Sequence, residues 1–339
     1  MRHTQPAPRV LLIGGSYNQT TMVHAVGRHL EREFHCSYSP YYAGGILDWA
    51  AGKGFLDFTV LGGPMRRQTE QYLARERLPV DYRGSRGPYD LVVSASDLVV
   101  QRNVKMSGTP LVLVQEGMTD PENATYRFVR RFGLPRWLAS TAATGLSLAY
   151  EKFCVASEGY RELFVRKGVP GDRIVVTGIP NFDNCRAFLE NDFPYRGFVL
   201  AATSDGRETF KRDRRMRFLA QLREIAAGRQ IIVKLHPNEI VARATAEVRA
   251  AIPNALVFSD GNVNHMIANC DVLVTQWSTC VYVGLALGKE CHSYFDLAEL
   301  RRLMPIQNGG TSARRIAEVC AEILDGARAA RGGSDGVAA

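Results

Sequence analysis

The sequence predicts an α/β protein made of two Rossmann-like domains that face each other across a cleft. Short apolar runs typical of buried strands alternate with helical stretches, and such alternation predicts parallel sheets. The runs form two series, separated by the irregular segment GIPNFDNCRAFLENDFPYRG, which is rich in Pro, Asn and Gly. The length of 339 residues also suits two domains, because one domain usually has about 100–200 residues.

Each predicted strand is a short apolar run. The runs of the first series cover residues 9–15, 89–96, 110–117, 152–157 and 173–178. The runs of the second series cover residues 197–204, 230–237, 255–260, 270–278 and 289–295. Residues 38–88 have a weaker pattern, which we interpret as a loop, a short helix and a further helix.

These series give the domain boundaries. We expect an amino-terminal domain over residues 1–180 and a carboxyl-terminal domain over residues 181–326. Residues 327–339 contain few apolar side chains, which predicts a disordered tail.

The composition is that of an ordinary globular protein, with 46% hydrophobic and 22% charged residues. No segment approaches the roughly 20 uncharged apolar residues that span a bilayer. The amino terminus has no apolar signal region before a cleavage site, which favours the cytoplasm. The seven cysteines are scattered without a CxxC pair, so neither a disulfide framework nor a zinc site is indicated.

The formal net charge of +8 would suit nucleic acid, an acidic membrane surface or anionic small substrates. Arg and Lys cluster in residues 127–136 and 207–217. Neither an RNP aromatic pair nor a helix-turn-helix accompanies these clusters, so we do not expect a nucleic-acid partner.

A glycine turn follows the first predicted strand, where LLIGGSYN passes through Gly14, Gly15 and Ser16 into a helix. Glycine lets the backbone approach a bound group closely, and the amino terminus of a helix favours anions. The segment does not match GxGxxG, so a dinucleotide cofactor is not predicted. A tight turn without a ligand is the alternative interpretation.

Glu116 follows an apolar run, where the carboxyl end of a strand should face the cleft. A carboxylate there can accept a proton from a substrate hydroxyl when its surroundings adjust its pKa. A surface glutamate in a turn closed by Gly117 is the alternative. Asp120 and Glu122 lie in more loop-like sequence and are weaker candidates for the base.

The run IIVKLHPNE breaks at a His-Pro pair, which places His236 at the carboxyl edge of the sheet, where ligands bind in open α/β folds. In CDVLVTQWST a strand ends at Gln276, and a helix is expected to begin at Ser278 and Thr279. Two hydroxyls and free N–H groups there would bind phosphate, and the imidazole would offset leaving-group charge. An ordinary Ser or Thr helix cap is the alternative.

Residues 152–183, 231–239 and 264–290 resemble the second half of the GT-B superfamily, which contains nucleotide-sugar glycosyltransferases and UDP-N-acetylglucosamine 2-epimerases. The Glu-Gly of QEG, the His-Pro of KLHP and the Ser-Thr of WST are similar to motifs of bacterial sialyltransferases, Kdo transferases and polyol-phosphate transferases. Those enzymes use CMP- or CDP-activated donors.

The resemblance implies that Glu116 acts as a base, that His236 meets the donor phosphate, and that Ser278 and Thr279 bind phosphate. Other residues near strand ends complete the predicted nucleotide-sugar site: Gly14, Gly15, Ser16, Gly178, Ser204 and Lys234.

The sequence differs from these families in two places, and we use these differences to rank the candidate activities. Gln115 stands where an acidic residue is common in the sialyltransferases. The segments SDGRETFKRDRR and WSTC differ from the His-Arg-Arg-Glu and Ser-Gly-Gly segments expected of an epimerase. We therefore rank a glycosyltransferase above a 2-epimerase, and keep a non-catalytic nucleotide-sugar-binding protein as a third candidate.

A basic and aromatic stretch at 126–150 contains Arg130, Arg131 and Trp137. Such a stretch can lie on an anionic membrane surface, in which case the acceptor would be lipid-linked. A partly buried helix whose arginines extend to water is the alternative.

The sequence thus predicts a cytoplasmic, metal-independent GT-B glycosyltransferase, working at the inner face of the membrane where the acceptor is lipid-linked. It would transfer a sugar from a nucleotide donor to a cell-envelope glycan or glycolipid, and it would need no cofactor. Because the sequence has no DxD-like motif, helix ends would have to stabilise the donor phosphates.

Overall fold

The computed structural model describes residues 7–204, 206–207 and 213–334. The chain forms two compact units. Unit 1 comprises the described residues of Met1–Asp183 and Asn308–Ala339, and unit 2 comprises those of Asn184–Gln307. Part of the predicted basic cluster at 207–217, and of the segment SDGRETFKRDRR, lies outside the described residues.

Eleven strands form in the described part of the chain, and every strand pair is parallel. The strands of unit 1 are β1 (Arg9–Ile13), β2 (His35–Ser39), β3 (Leu91–Ser94), β4 (Leu111–Val114), β5 (Lys152–Val155) and β6 (Ile174–Val176). The strands of unit 2 are β7 (Val199–Ala202), β8 (Ile231–Lys234), β9 (Leu256–Phe258), β10 (Val272–Thr275) and β11 (Glu290–His292).

The helices of unit 1 are α1 (Tyr17–Leu30), α2 (Ile46–Gly52), α3 (Gly63–Arg75), α4 (Arg102–Ser107), α5 (Ala124–Phe132), α6 (Glu158–Arg166) and α12 (Ser312–Ser334). The helices of unit 2 are α7 (Arg215–Ala226), α8 (Val241–Ala251), α9 (Val263–Asn269), α10 (Val281–Ala286) and α11 (Leu297–Leu303). Short 3-10 segments cover Tyr82–Gly84, Arg136–Ala143, Gly171–Arg173 and Cys185–Leu189.

The strand order places a topological switch point in each sheet. The order is β2-β1-β3-β4-β5-β6 in unit 1 and β11-β10-β7-β8-β9 in unit 2. The direction of winding therefore reverses between β1 and β3 in unit 1, and between β7 and β10 in unit 2. Open parallel sheets bind ligands at the carboxyl ends of the strands beside such a point.

Strand β2 was not predicted from the sequence. Its residues HCSYS contain few apolar side chains, but Cys36 and Tyr38 are buried alternately. It lies at an edge of its sheet, where it pairs only with β1 among the described strands. A strand at this position needs less apolar sequence than the central strands, which are buried on both faces.

Helix α12 belongs to unit 1, whereas the sequence analysis placed residues up to 326 in the second domain. Its apolar residues Ile316, Cys320 and Leu324 recur at helical spacing and lie in the same buried cluster as Val26 and Leu30 of α1. The helix continues to Ser334, so residues 327–334 are helical and not part of a disordered tail. Residues 335–339 lie outside the described residues.

The chain leaves unit 1 after Asp183 and returns to it at Asn308, and the returning segment is hydrogen-bonded to Asp183. The Asp183 backbone carbonyl accepts a hydrogen bond from the Gly309 N–H at 3.1 Å, and its carboxylate accepts one from the Ser312 N–H at 2.8 Å. The observed boundary after Asp183 lies three residues beyond the predicted one.

No helix in the described ranges is both long and apolar enough to cross a membrane. All seven cysteines lie in those ranges as free thiols, and all but Cys280 are buried.

Candidate active site

Glu116 and the glycine turn of the sequence analysis meet in unit 1. The Ser16 hydroxyl donates to Oε1 of Glu116 at 3.2 Å, and Nε2 of Gln19 donates to Oε2 at 2.6 Å. Ser16 also caps α1, because its Oγ accepts from the Gln19 N–H while Oε1 of Gln19 accepts from the Ser16 N–H. The first turn of α1 is thus fixed in a geometry that holds both oxygens of Glu116.

The end of β4 is held by Gln115. Its Nε2 donates to the carbonyl of Gly117 at 2.7 Å, and its Oε1 accepts from the Ala156 N–H at 2.9 Å. Both contacts are buried, so the amide ties the turn after β4 to the residue after β5. The residue that stands where sialyltransferases commonly have an acid is therefore part of the scaffold around Glu116.

The Glu116 carboxyl has a pKa raised above its ordinary value, because the loss of water around it disfavours the charged form. Hydrogen bonds from Gln19 and Ser16 oppose this effect without cancelling it. Both donors are neutral. A carboxylate in such surroundings has a greater affinity for a proton than an exposed glutamate, which suits a general base.

Both glycines lie close to side chains of the first turn of α1, and a Cβ at either position would make those side chains move. A Cβ on Gly15 would lie 1.7 Å from Oε1 of Gln19, and a Cβ on Gly14 would lie 2.4 Å from Oγ1 of Thr20. The Gly14 N–H donates to the carbonyl of Ser39, and the Gly15 N–H donates to Oγ1 of Thr20. These N–H groups have partners inside unit 1, and the contacts with Glu116 come from Ser16 and Gln19, which follow the glycines.

Asp120, the weaker candidate for the base, is bound to Thr141. Its carboxylate accepts from the Thr141 hydroxyl at 3.0 Å, and its own N–H donates to the same oxygen at 2.9 Å.

Gly178 follows β6 with a φ of 78°, and its N–H donates to the Val155 carbonyl. Gly178 therefore lies in unit 1, whereas Ser204, Lys234, His236, Ser278 and Thr279 lie in unit 2.

Three polar residues meet at the switch point of unit 2. The Ser204 hydroxyl, after β7, donates to Oε1 of Gln276, which follows β10, at 3.1 Å. Nε2 of Gln276 donates to Asp213 at 2.8 Å. Gln276 and Asp213 were not predicted as site residues, although Gln276 is a buried polar residue directly after an apolar strand.

His236 is held by its backbone and by one ring nitrogen. Its N–H donates to Oε2 of Glu239 at 2.9 Å and to Oγ1 of Thr203 at 3.1 Å. The Asn238 N–H donates to Nδ1 of the imidazole at 3.2 Å. Since Nδ1 accepts this bond, the proton of the neutral ring is on Nε2, and Nε2–H is the group that can donate to an anion.

Glu239 is a fully buried carboxylate that sequence analysis missed. It forms an ion pair with Arg215, which is also buried, and accepts a hydrogen bond from the Thr203 hydroxyl. Arg215 also contacts Asp213 at 3.3 Å. The sequence contained a signal for this contact. Glu239 follows His236 by three residues, and at that spacing its carboxylate can accept a hydrogen bond from the His236 N–H.

Lys234, predicted to bind the donor, is bonded to two backbone carbonyls. Its Nζ donates to the carbonyls of Leu235 at 2.9 Å and Ser259 at 2.8 Å, which joins the ends of β8 and β9. Burial lowers the pKa of this ammonium group.

Ser278 and Thr279 lie three and two residues before the first residue of their helix, which differs from the predicted helix start. Helix α10 begins at Val281, with Cys280 at the cap position, and the Ser278 hydroxyl donates to Sγ of Cys280 at 3.0 Å. The helix has only six residues, which reduces the dipole expected there. Both residues are partly exposed beside the switch point of unit 2.

The basic and aromatic stretch forms α5 and the 3-10 segment after it. Nη1 of Arg130 donates to the Tyr126 hydroxyl and to the carbonyl of Lys167, so part of the guanidinium is held by hydrogen bonds within unit 1. Arg131 and Trp137 are exposed.

Among the described residues, no group of three or more His, Cys, Asp or Glu side chains could hold a metal ion.

Two α/β units with parallel sheets define the class of this protein, and its fold is the GT-B fold predicted from the sequence. The chain is similar to the UDP-GlcNAc 2-epimerase of Neisseria meningitidis, solved bound to UDP-GlcNAc, with a TM-score of 0.57 and 11% identity. The alignment covers 93% of this chain and 100% of the epimerase chain.

The UDP-GlcNAc 2-epimerase of Methanocaldococcus jannaschii, solved with UDP-GlcNAc and UDP, has a TM-score of 0.56 and 12% identity, over 93% of this chain and 99% of that chain. The wall teichoic acid polymerase TagF has a TM-score of 0.49 and 12% identity, over 95% of this chain and 90% of that chain. Identities this low show the fold alone. The sequence matches no family model, and no curated protein sequence is significantly similar to it.

Proposed function

We propose that this protein is a glycosyltransferase, moving a sugar from a nucleotide-activated donor to a cell-envelope glycan or glycolipid. The observation that carries this proposal is the geometry of Glu116, a strand-end carboxylate held by two neutral donors. Its raised pKa supports a role as the base that removes the proton from an acceptor hydroxyl.

We propose that the donor binds at the carboxyl edge of the sheet in unit 2. The hydroxyl of Thr275 and Nη1 of Arg215 are buried there without a hydrogen-bond partner among the described residues. Buried polar groups are normally paired, so two such atoms near the switch point support a polar ligand. Nε2–H of His236 and the hydroxyls of Ser278 and Thr279 complete the proposed phosphate site.

In the proposed reaction, Glu116 takes the acceptor proton as the acceptor oxygen bonds to the anomeric carbon. The bond from that carbon to the phosphate oxygen breaks, and the electron pair leaves with the nucleotide. His236 and Arg215 stabilise the charge that develops on the departing phosphate, and no metal is required.

A 2-epimerase is the second candidate, favoured by the shared fold with two UDP-GlcNAc 2-epimerases. The two activities differ in their need for an acceptor. Incubation with UDP-N-acetylglucosamine alone should leave the sugar unchanged if the protein is a transferase. Conversion to the 2-epimer without an acceptor would contradict the transferase proposal and support the 2-epimerase.

The donor class is tested by thermal shift with UDP-, CDP-, CMP- and GDP-sugars, because a ligand that binds only the folded state raises the melting temperature. We expect one nucleotide class to stabilise the protein. We expect His236→Ala, and the double variant Ser278→Ala with Thr279→Ala, each to weaken that binding by at most a few kcal/mol.

The combined variant should lose less than the sum of the two losses, because groups that serve one phosphate act together. His265→Ala, on α9, is the matched histidine control and should bind the donor normally. Unchanged affinity in the His236 variant would contradict the proposed phosphate site.

We also propose that the protein works at the inner face of the cytoplasmic membrane, through the surface of α5 and the segment Arg136–Ala143. Exposed Arg131 and Trp137 support this, because basic and aromatic side chains together favour an anionic bilayer interface. A surface of this kind suits a lipid-linked acceptor.

A further inference from the structure

A cavity of about 360 Å³ lies beneath α5 in unit 1. It is lined by residues of α5, of the segment Arg136–Ala143, and of the turn that follows α6. Its volume is within the range of about 300–1,000 Å³ that is usual for small-molecule sites.

Three cations line this cavity, namely Arg130, Arg136 and Lys167, and no carboxylate lines it. In the part of the chain that the structure describes, none of the three forms an ion pair; their side chains donate mainly to backbone carbonyls. Nε of Arg136 is buried without a hydrogen-bond partner among the described residues. Lys167 is buried, Arg136 is partly buried and Arg130 is exposed. A buried cation without a counter-ion is costly, and an anionic ligand would offset that cost for Lys167 and for the buried Nε of Arg136.

The surroundings of Lys167 also leave its positive charge without a directly bonded carboxylate in the described part of the chain. The side chain is buried, and its Nζ lies 5.2 Å from the centre of the Tyr126 ring. Burial lowers the pKa of the ammonium group, while Glu122 and Asp120 oppose that effect only through space.

The remaining wall of the cavity is apolar and includes Leu134, Leu146 and Leu148. Next to it along the chain are Phe128 and Phe132, which are 57% and 62% exposed with ring centres 4.5 Å apart. A cavity with cations, leucines and neighbouring exposed aromatic rings fits an amphiphile with a negative charge.

Glu116 does not line the cavity, and part of the cavity wall lies at the other end of the sheet's strands. Leu148 precedes β5 and Gly168 precedes β6, so this wall is near the amino-terminal ends of those strands. Glu116 follows β4 at the carboxyl edge of the same sheet. We expect a ligand in the cavity to anchor the protein rather than react, because the candidate base is not among the lining residues.

We infer that the cavity beneath α5 binds the phosphate head group of an anionic phospholipid in a bilayer, while Phe128, Phe132 and Trp137 enter the interface around it. The inference rests on the proposed membrane contact. The three cations would surround the phosphate, and the leucines would contact the glycerol and the first carbons of the chains.

The test uses the full-length protein and vesicles of phosphatidylcholine, with or without phosphatidylglycerol, in a sedimentation assay. We expect binding only to the vesicles that contain phosphatidylglycerol, and weaker binding as salt increases. Arg130→Gln with Arg136→Gln should weaken binding by about 5-fold for each lost charge. Phe128→Ser with Phe132→Ser should also weaken it.

The matched controls lie elsewhere on unit 1. Arg314→Gln with Arg315→Gln on α12 removes two exposed charges, and Tyr82→Ser removes one exposed ring. Both should bind vesicles normally. If the cavity variants fail to fold, as shown by their melting curves, Arg130→Lys with Arg136→Lys and the surface variant Trp137→Glu replace them. The lysine variant should retain most of the binding and Trp137→Glu should lose it.

Fluorescence gives an independent measurement, because the chain has only three tryptophans. A protein that keeps only Trp137 should show a blue shift with phosphatidylglycerol vesicles. A protein that keeps only Trp49, which is exposed on α2, should show none.

Short-chain phosphatidylglycerol below its micelle concentration should compete with the vesicles, and inorganic phosphate at the same concentration should not. Vesicle binding that the cavity variants leave intact would overturn the lipid site while leaving the proposed membrane contact. Equal binding to pure phosphatidylcholine, or a dimer that Phe128→Ser dissociates, would also overturn it. None of these assays uses a sugar donor, so the proposed transferase activity stands or fails separately.

Discussion

Glu116 and Glu239 are two buried or partly buried glutamates, one in each unit, that follow the end of a parallel strand. Glu116 accepts hydrogen bonds from a hydroxyl and an amide, both neutral. Glu239 forms an ion pair with Arg215 and accepts from the His236 N–H. Neutral donors leave a carboxylate able to take up a proton, whereas a buried guanidinium commits it to an ion pair.

Position at a strand end does not by itself identify a catalytic group. Glu239 is bonded to Arg215, to the Thr203 hydroxyl and to the N–H of His236, and these contacts hold the loop that carries His236. Glu116 has surroundings that raise its proton affinity. We therefore expect substitution of Glu116 to affect turnover and substitution of Glu239 to affect stability.

The largest effect is expected from Glu116→Gln, which keeps the shape of the side chain and removes its basicity. Turnover should fall by about 10²–10⁴-fold, with donor binding little changed, because general base catalysis usually contributes that much. Steady-state transfer assays and donor titrations measure the two quantities. Glu122→Gln, in the exposed loop before α5, is the matched control and should keep parental turnover.

A Glu116→Gln protein that retains parental turnover would remove Glu116 as the base. Asp120 would then be the next residue to substitute, although its carboxylate is already bound to Thr141.

The second-largest effect is expected on the free energy of unfolding, from substitution of Glu239. Glu239→Gln leaves Arg215 buried with Asp213 as its remaining carboxylate partner among the described residues. Breaking a buried pair costs about 3–5 kcal/mol, and we expect about 3 kcal/mol here because Asp213 remains. Urea unfolding followed by Trp277 fluorescence, in protein with Trp49 and Trp137 replaced by Phe, reports on unit 2.

Glu247→Gln is the matched control for Glu239→Gln. Glu247 pairs with Arg207 at 2.7 Å, but both side chains are about one quarter exposed. Pairs of this kind contribute about 1 kcal/mol or less. Equal destabilisation by the two substitutions would show that burial of the Glu239 pair has no special energetic role.

Much of the fold could be predicted because the central strands are continuous apolar runs. All ten predicted runs contain an observed strand, since sheets covered on both faces need apolar residues at every position. The position of α12 could not be predicted, because an apolar stripe with Ile316 and Cys320 does not specify which sheet it covers.

The site was predictable where one residue carries its own signal, and not where the role depends on distant partners. The predicted position of Glu116 at a strand end agrees with the structure, while its role as the base stays a prediction. Gln19 was missed because its contact with Glu116 depends on β1 and β4 ending at the same edge of the sheet. Arg215 and Glu239 were missed because charged residues in sequence suggest a solvent-exposed surface rather than a buried pair.

The smallest expected effect is a shift in pH dependence. A general base must be ionised, so turnover should rise with pH through the pKa of Glu116, and burial places that rise above the range of an ordinary glutamate. The bond from Gln19 favours the charged carboxylate and so lowers its pKa. Gln19→Leu removes that bond, the pKa should rise further, and the acidic limb of the turnover profile should move to higher pH.

Ser16→Ala should move the limb in the same direction but less, because the Gln19 bond is the larger of the two effects that lower the pKa. Thr21→Ala, on the same turn of α1, is the control, since its hydroxyl donates to the carbonyl of Asn18 and does not contact Glu116. The limb is measured from turnover across pH in each variant. A limb that stays in place in Gln19→Leu would belong to another group, and Glu116 would then resemble Glu239 in being a structural carboxylate.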